Sequence, residues 1–319
     1  MPTEPSRRAP RVQAIDIARG AALIGMAAYH LSWDFAYFHL IPADFPLDPP
    51  MRLFSHIVAG AFLFLVGVSM SLAHRQGINW AGFQRRLTIV GGAAGLVTLA
   101  TRAFAPDEAI YFGILHCIAA SSVLALPMAR APSWVALAAA GIALAAPTLF
   151  AGRGLEGPGL AWLGLGAEMP RTLDWRPLAP WSGLVFLGVG AARLGRWSRR
   201  SAQDRPSRPS SATGQAIGWA GRHSLAIYLI HQPILFGVLF AATALTGYAP
   251  ANDAETFKAN CQRECRTGGG SEAMCGGACQ CVVRGLQGAN LAIAMTGATL
   301  SNAQSENYRR IVRECAVAR

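Results

Sequence analysis

Seven apolar runs, each close to the roughly 20 residues that cross the hydrocarbon core of a bilayer, constrain this chain more than any other feature. They cover approximately 14–39, 53–73, 87–105, 109–129, 132–150, 178–195 and 216–246. In lipid the backbone N–H and C=O groups must be satisfied within their own segment, so runs of this kind are helices. The expected fold class is all-α: a polytopic membrane helix bundle of about seven spans with a small Cys-rich C-terminal tail. Only 14% of the residues are charged, against about 25% in soluble domains, which excludes an ordinary soluble enzyme. Small residues such as Gly91, Gly92, Ala93, Ala94 and Gly95 suit close helix packing. Trp33, Trp80, Trp134, Trp181 and Trp197 fall near span ends, where indole prefers the interface. The opening MPTEPSRRAPR and the long apolar run after it do not read as a cleavable signal, so the first span is expected to be retained.

The net charge of +11 rests mainly on arginine. These arginines do not point to nucleic acid; many flank apolar spans, where they set orientation. Arg7, Arg8 and Arg11 precede the first span. Arg75, Arg85 and Arg86 lie between the second and third, and Arg193, Arg196, Arg199, Arg200, Arg205 and Arg208 between the sixth and seventh. The expected organisation is a basic cytoplasmic N-terminus (1–13), a transmembrane domain (14–246) and an extracytoplasmic tail (247–319), in the plasma (inner) membrane. Residues 198–214 read as a flexible linker. The tail carries Cys261, Cys265, Cys275, Cys279, Cys281 and Cys315. An even cysteine count in an exported segment reads as a disulfide framework, with fifteen possible pairings. The C-x3-C and C-x3-C-x-C spacings also permit zinc, although no metal is expected. Cys117, inside the fourth span, reads as inert core.

A polar stripe marks the first span: Asp16, Arg19, His30, Asp34 and Tyr37. Steps of three, four and seven stay on one helix face. Ionisable groups in a membrane helix are costly and mark functional sites by default. Neutral imidazole at His30 can act as a general base for acyl transfer, with Asp34, one turn on, holding its other ring nitrogen. Arg19, eleven residues before His30 and about 16 Å along the axis, can clamp a phosphorylated cofactor, or pair internally with Asp16 at i,i+3. Other spans add candidates. His116 sits in FGILHC, either bonded to a neighbouring helix or in a site. His231 and Gln232 precede Pro233 in YLIHQP, and Tyr228 lies one turn below Gln232. Asp174, Arg176 and Trp181 stand before the sixth span, where a carboxylate with an aromatic ring can bind sugar. His39, His56, His74 and His223 read as interfacial polar residues.

RVQAIDIARGAALIGMAAYH is similar to the opening motif of integral-membrane acyltransferases, including acyltransferase family 3 with its Arg-x10-His spacing, which Arg19 and His30 share. More of the chain resembles the heparan-α-glucosaminide N-acetyltransferase catalytic-domain family, in particular bacterial members of unassigned substrate. The matching pieces are FLFLVGVSMSLA (62–73), FQRR (83–86), YFGILHCIA (111–119), DWRPLAPWSGLVFLGVG (174–190) and GRHSLAIYLIHQPIL (221–235). With the opening motif they span about residues 11–240, in order. The resemblance implies transfer of an acetyl or similar acyl group from cytoplasmic acyl-CoA, acetyl-CoA first among candidates, to a hydroxyl or amine of an envelope saccharide. It implies phosphate contact for Arg86 and strengthens a site role for His231 and Gln232. His30 either deprotonates the acceptor or carries the acyl group transiently. One departure stands out. The eukaryotic sugar N-acetyltransferases have an active-site histidine that looks to lie in the outer loop after the first motif helix, and IPADFPLDPP (41–50) contains none. Heparan-type glucosamine therefore has no warrant as the acceptor.

Two other classes use the same features. A transporter or flippase would use the stripe as a proton or substrate path, yet no second half echoes the first span as an inverted repeat would. A non-catalytic membrane partner protein would act through its cysteine tail.

Overall fold

The computed structural model describes residues 12–38, 40–42, 44–150, 159–166, 169–194, 211–246, 253–291, 294–295 and 300–317. His39, Trp197, the arginines at 7, 8, 11, 196, 199, 200, 205 and 208, and most of the 198–214 linker lie outside them. The described residues form eleven α-helices joined by turns and short 3₁₀ segments, with no strand among them. They are α1 (Gln13–Tyr37), α2 (Pro49–Ala73), α3 (Trp80–Phe104), α4 (Ile114–Ala125), α5 (Ser133–Phe150), α6 (Leu178–Leu194), α7 (Ala212–Arg222), α8 (Ser224–Thr246), α9 (Asp253–Thr267), α10 (Glu272–Gly288) and α11 (Asn302–Val317).

The all-helical class holds, and the span count of about seven matches only roughly. Among the described residues, four helices, α2, α3, α5 and α8, are long and apolar enough to cross a bilayer. α1 has the length, but its polar stripe lowers its apolarity. α4 and α6 are apolar but short, about 18 and 26 Å by helix rise against a hydrocarbon core of about 30 Å. The run expected over 109–129 is helical only between Gly113 and Leu126, because 3₁₀ turns at Pro106–Glu108 and Pro127–Ala129 flank it. Proline opens both turns, where its missing N–H costs nothing. The run expected over 216–246 breaks at His223, where the polar GRHS sequence separates α7 from α8.

Two compact units emerge. The first is drawn from residues up to Asp34 and from Phe45–Gly237; the second from Phe35–Asp44 and from Val238 onward. In the first unit, α6 packs on α2, α4 and α5, and α3 on α4. Its core includes Leu63, Val66, Met70, Cys117, Val185 and Val189, so Cys117 is the buried thiol expected. Close approach depends on paired glycines. A Cβ on Gly67 would meet the Val185 carbonyl of α6, and one on Gly188 the Phe64 carbonyl of α2. Gly20 and Gly221 do the same between α1 and α7, against the Ile217 and Asp16 carbonyls. Such contacts replace the hydrophobic drive that lipid cannot supply between helices.

In the second unit, the i,i+4 pairs Cys261/Cys265 on α9 and Cys275/Cys279 on α10 each share a helix face. A hairpin between α9 and α10 nests them as Cys261–Cys279 and Cys265–Cys275. Cys281–Cys315 then ties in α11. All six tail cysteines are bridged, and Val282, Val283, Leu286 and Ile311 form a separate small core.

Candidate functional site

Two helices of the first unit bring the principal candidates together. Near the C-terminal end of α1, the His30 ring stands edge-to-face against the His231 ring of α8, with centroids 5.0 Å apart and planes at 63°. One turn beyond His30, Asp34 is only 3% exposed, and its Oδ1 accepts a 2.6 Å hydrogen bond from Gln232 Nε2. The expected partner of Asp34, His30, is therefore not the one with which this bond is made. Helical spacing brings residues i and i+4 to one face, yet a carboxylate can turn toward a neighbouring helix, and here Gln232 meets it. Tyr37, the last residue of the stripe, belongs to the second unit and packs on Phe38.

The protonation pattern around these groups follows from donor and acceptor chemistry. His231 Nδ1 lies 2.7 Å from the Tyr228 carbonyl. A carbonyl only accepts, so Nδ1 carries the proton and Nε2 is a bare acceptor. That Nε2, Asp34 Oδ2 and Gln232 Oε1 are all buried without a partner. Buried polar groups are normally satisfied, so each exception calls for a reason. The three unspent acceptors belong to residues already in contact: Gln232 bonds to Asp34, and His231 stands against His30.

A second group of residues borders this one. The loop before α6 is stitched to the segment before α4 by Leu173 N to Glu108 O (2.9 Å), Arg176 N to Phe112 O (3.2 Å) and Thr172 Oγ1 to Ala109 O (2.9 Å). It holds Arg176 in place: Nη2 donates to Ser55 Oγ (2.9 Å) and the guanidinium lies over the Trp181 ring, 4.8 Å from its centroid. The His56 ring stands 5.4 Å from the same indole. Arg176 is within electrostatic reach of His30, His56 and Tyr228. One face of Trp181 is thus taken by a cation–π contact and is not open as a sugar platform.

Asp174 and His116 have structural occupations. Asp174 Oδ2 accepts from Ile114 N at 2.8 Å, capping α4 from another loop. His116 Nδ1 accepts from Gly113 N at 3.3 Å. Thr98 spends its hydroxyl proton on the Ile110 carbonyl, so His116 Nε2 donates to Thr98 Oγ1 at 3.2 Å. Both imidazole nitrogens are engaged, as in a helix-bonded histidine.

Toward the other end of α1, Arg19 Nη2 donates to Ser69 Oγ of α2 at 2.6 Å, and Ser69 passes its own proton to the Leu65 carbonyl. Asp16 lies within coulombic reach of Arg19, but the guanidinium donates its hydrogen bond to α2. Arg86 lines a cavity of about 160 Å³ between α2, α3 and α4, together with His74, Asn79 and Ser122. Asn79 caps α3, its Oδ1 accepting from Gly82 N at 2.9 Å. His74 in this cavity, and Ser55 and Ser69 as arginine partners, were not singled out as site residues from sequence. A histidine just past an apolar run looks like any interfacial residue, and serines in spans are common.

Residues 11–233 match the family described as heparan-alpha-glucosaminide N-acetyltransferase, catalytic. No curated protein and no solved structure matches the chain.

Proposed function

This chain belongs to the heparan-alpha-glucosaminide N-acetyltransferase catalytic family, and we propose that it moves an acetyl or similar acyl group from cytoplasmic acyl-CoA to a hydroxyl or amine of an envelope saccharide. The family match and the apolar helices support an integral membrane transferase. The observation that carries the finer reading is that Asp34, Gln232 and His231, joined by the Asp34–Gln232 bond and the His231–His30 ring contact, carry three buried acceptors without partners, Asp34 Oδ2, Gln232 Oε1 and His231 Nε2. A ligand rich in O–H or N–H donors satisfies such a site, and a sugar acceptor is that kind of ligand.

In this reading the donor's phosphates lie toward Arg19 and Arg86, and the pantetheine arm runs along α1. The separation of Arg19 and His30, about 16 Å of helix rise, suits an extended arm and brings the thioester near the imidazoles. His30 takes the proton of the acceptor O–H or N–H as that atom attacks the thioester carbonyl. The C–S bond then breaks, and the proton returns to the leaving thiolate. A second route has His30 carry the acyl group before handing it on. The Asp34–Gln232 hydrogen bond acts as a positioning tie, holding α1 against α8 so that the two imidazoles face one another.

The test is incubation of the purified protein with radiolabelled acetyl-CoA and envelope glycans. Label should pass to a saccharide in a time- and enzyme-dependent way. Release of free acetate alone, or no consumption of acetyl-CoA with any glycan, would count against the proposal.

A further inference from the structure

We propose that Arg263 of the Cys-rich tail, through its ion pair with Asp44, is a positioning residue for acyl transfer: it fixes the end of α1, and with it the register of His30 and Asp34. This rests on the acyl-transfer reading above and gives the tail a part in it.

Three observations converge on this pair. The two helices that carry His30, Asp34, His231 and Gln232 both begin in the first unit and end in the second. Asp34 is the last residue of α1 in the first unit, and the helix runs on unbroken to Tyr37. α8 enters the second unit at Val238, less than two turns beyond Gln232. The next observation lies wholly within the second unit. Residues Phe35–Asp44 group with the tail, and Arg263 Nη1 of α9 lies 3.0 Å from Asp44 Oδ2. Finally, Arg263 stands on a fastened turn of its helix. Cys261 and Cys265 flank it, and both are bridged to α10, as Cys261–Cys279 and Cys265–Cys275. A guanidinium on such a turn holds its partner in place, because its own backbone is tied on both sides.

Magnitudes separate positioning from stability here. The two side chains are 44% and 34% exposed, and ion pairs so open to water add little to folding. Reaction geometry is far more sensitive: a displacement of about 1 Å can cost about a hundredfold in rate. The Asp34–Gln232 bond, at 2.6 Å, is short for its kind and weakens as its ends part. Asp34 lies within one turn of the end of α1, so a shift of that end carries Asp34 with it. A pair too weak to hold the fold together is still strong enough to set this register.

The experiment compares Arg263→Glu, Asp44→Arg and the double charge reversal, each as purified full-length protein in detergent. The readouts are label transfer from radiolabelled acetyl-CoA to envelope glycans and hydrogen exchange over residues 35–48. Either single reversal sets like charges against one another. Each should speed exchange over 35–48 and lower the maximal transfer rate about fivefold, a fraction of the loss for a 1 Å displacement. KM for acetyl-CoA should stay as it is, since Arg19 is untouched. The double reversal restores the attraction and should recover both readouts. Alkylation of the denatured variants should find Cys117 as the single free thiol, as in the wild type, which separates a lost ion pair from a lost bridge. Wild-type rates in both single variants overturn the proposal. So does faster exchange with an unchanged rate, which reduces the pair to a tether for the tail, and so does a lost rate that the double reversal fails to recover. If the wild type transfers label and the single variants match it, only this assignment falls. If the wild type transfers none, the acyl-transfer reading falls and takes this one with it.

Discussion

His30 and Asp34 show what one helix can and cannot specify. Their four-residue spacing reads as a base and its orienter, yet Asp34 bonds to Gln232, 198 residues away in sequence. The imidazole facing His30 is that of His231. On the proposed mechanism, His30→Ala should abolish acyl transfer while the protein still inserts and folds; wild-type transfer of label by that variant would remove His30 from the chemistry. Gln232→Leu should lower kcat on the order of a hundredfold, with a smaller change in KM for the donor, because it unties α1 from α8 without touching the donor's phosphates. A rise in donor KM with kcat unchanged would place Gln232 elsewhere. Arg19→Ala should raise KM for acyl-CoA; an unchanged value reduces Arg19 to its bond with Ser69. Of the candidates read from sequence, His116 and Asp174 are engaged in holding α4 in place. Their roles depend on partners that no local pattern reveals.

Helix packing carries the next set of expectations. α2 and α6 meet backbone to backbone at Gly67 and Gly188. Gly188→Val would press a branched side chain into the Phe64 carbonyl and should destabilise the first unit by about 1–3 kcal/mol, seen as a lower unfolding temperature in detergent. Ala at Gly91, which has open space around it, is the control and should not lower that temperature. In the second unit, the Cys281–Cys315 bridge closes 34 residues. Replacing both cysteines by serine should cost that unit about 3–4 kcal/mol by loop-closure entropy, measured by protease resistance of the tail. The disulfide framework was legible from six cysteines in a short segment, and the pairing was not. It became single-valued once α9 and α10 were helices folded as a hairpin.

For the whole molecule, the arginine distribution and the bridged tail lead to one expectation of orientation: N-terminus in the cytoplasm, C-terminus in an oxidising compartment. An alkaline phosphatase fused after Arg319 should therefore be active, since that enzyme needs an exported, oxidising environment; an inactive fusion alongside an active cytoplasmic reporter at the same site would reverse the topology. The helical class, the apolar runs, the polar stripe on the first of them and the bridging capacity of the tail are legible in the chain before it folds. Each follows from the chemistry of contiguous residues: a run is apolar or it is not, and a helix places i and i+4 together wherever it lies. Packing sets where each helical run breaks, which acceptors are left unspent, and which histidine faces which. Those outcomes depend on side chains distant in sequence competing for the same hydrogen bonds, as Gln232 takes the Asp34 oxygen and the Met70 carbonyl fixes the tautomer of His74. Such competition is settled only when helices pack.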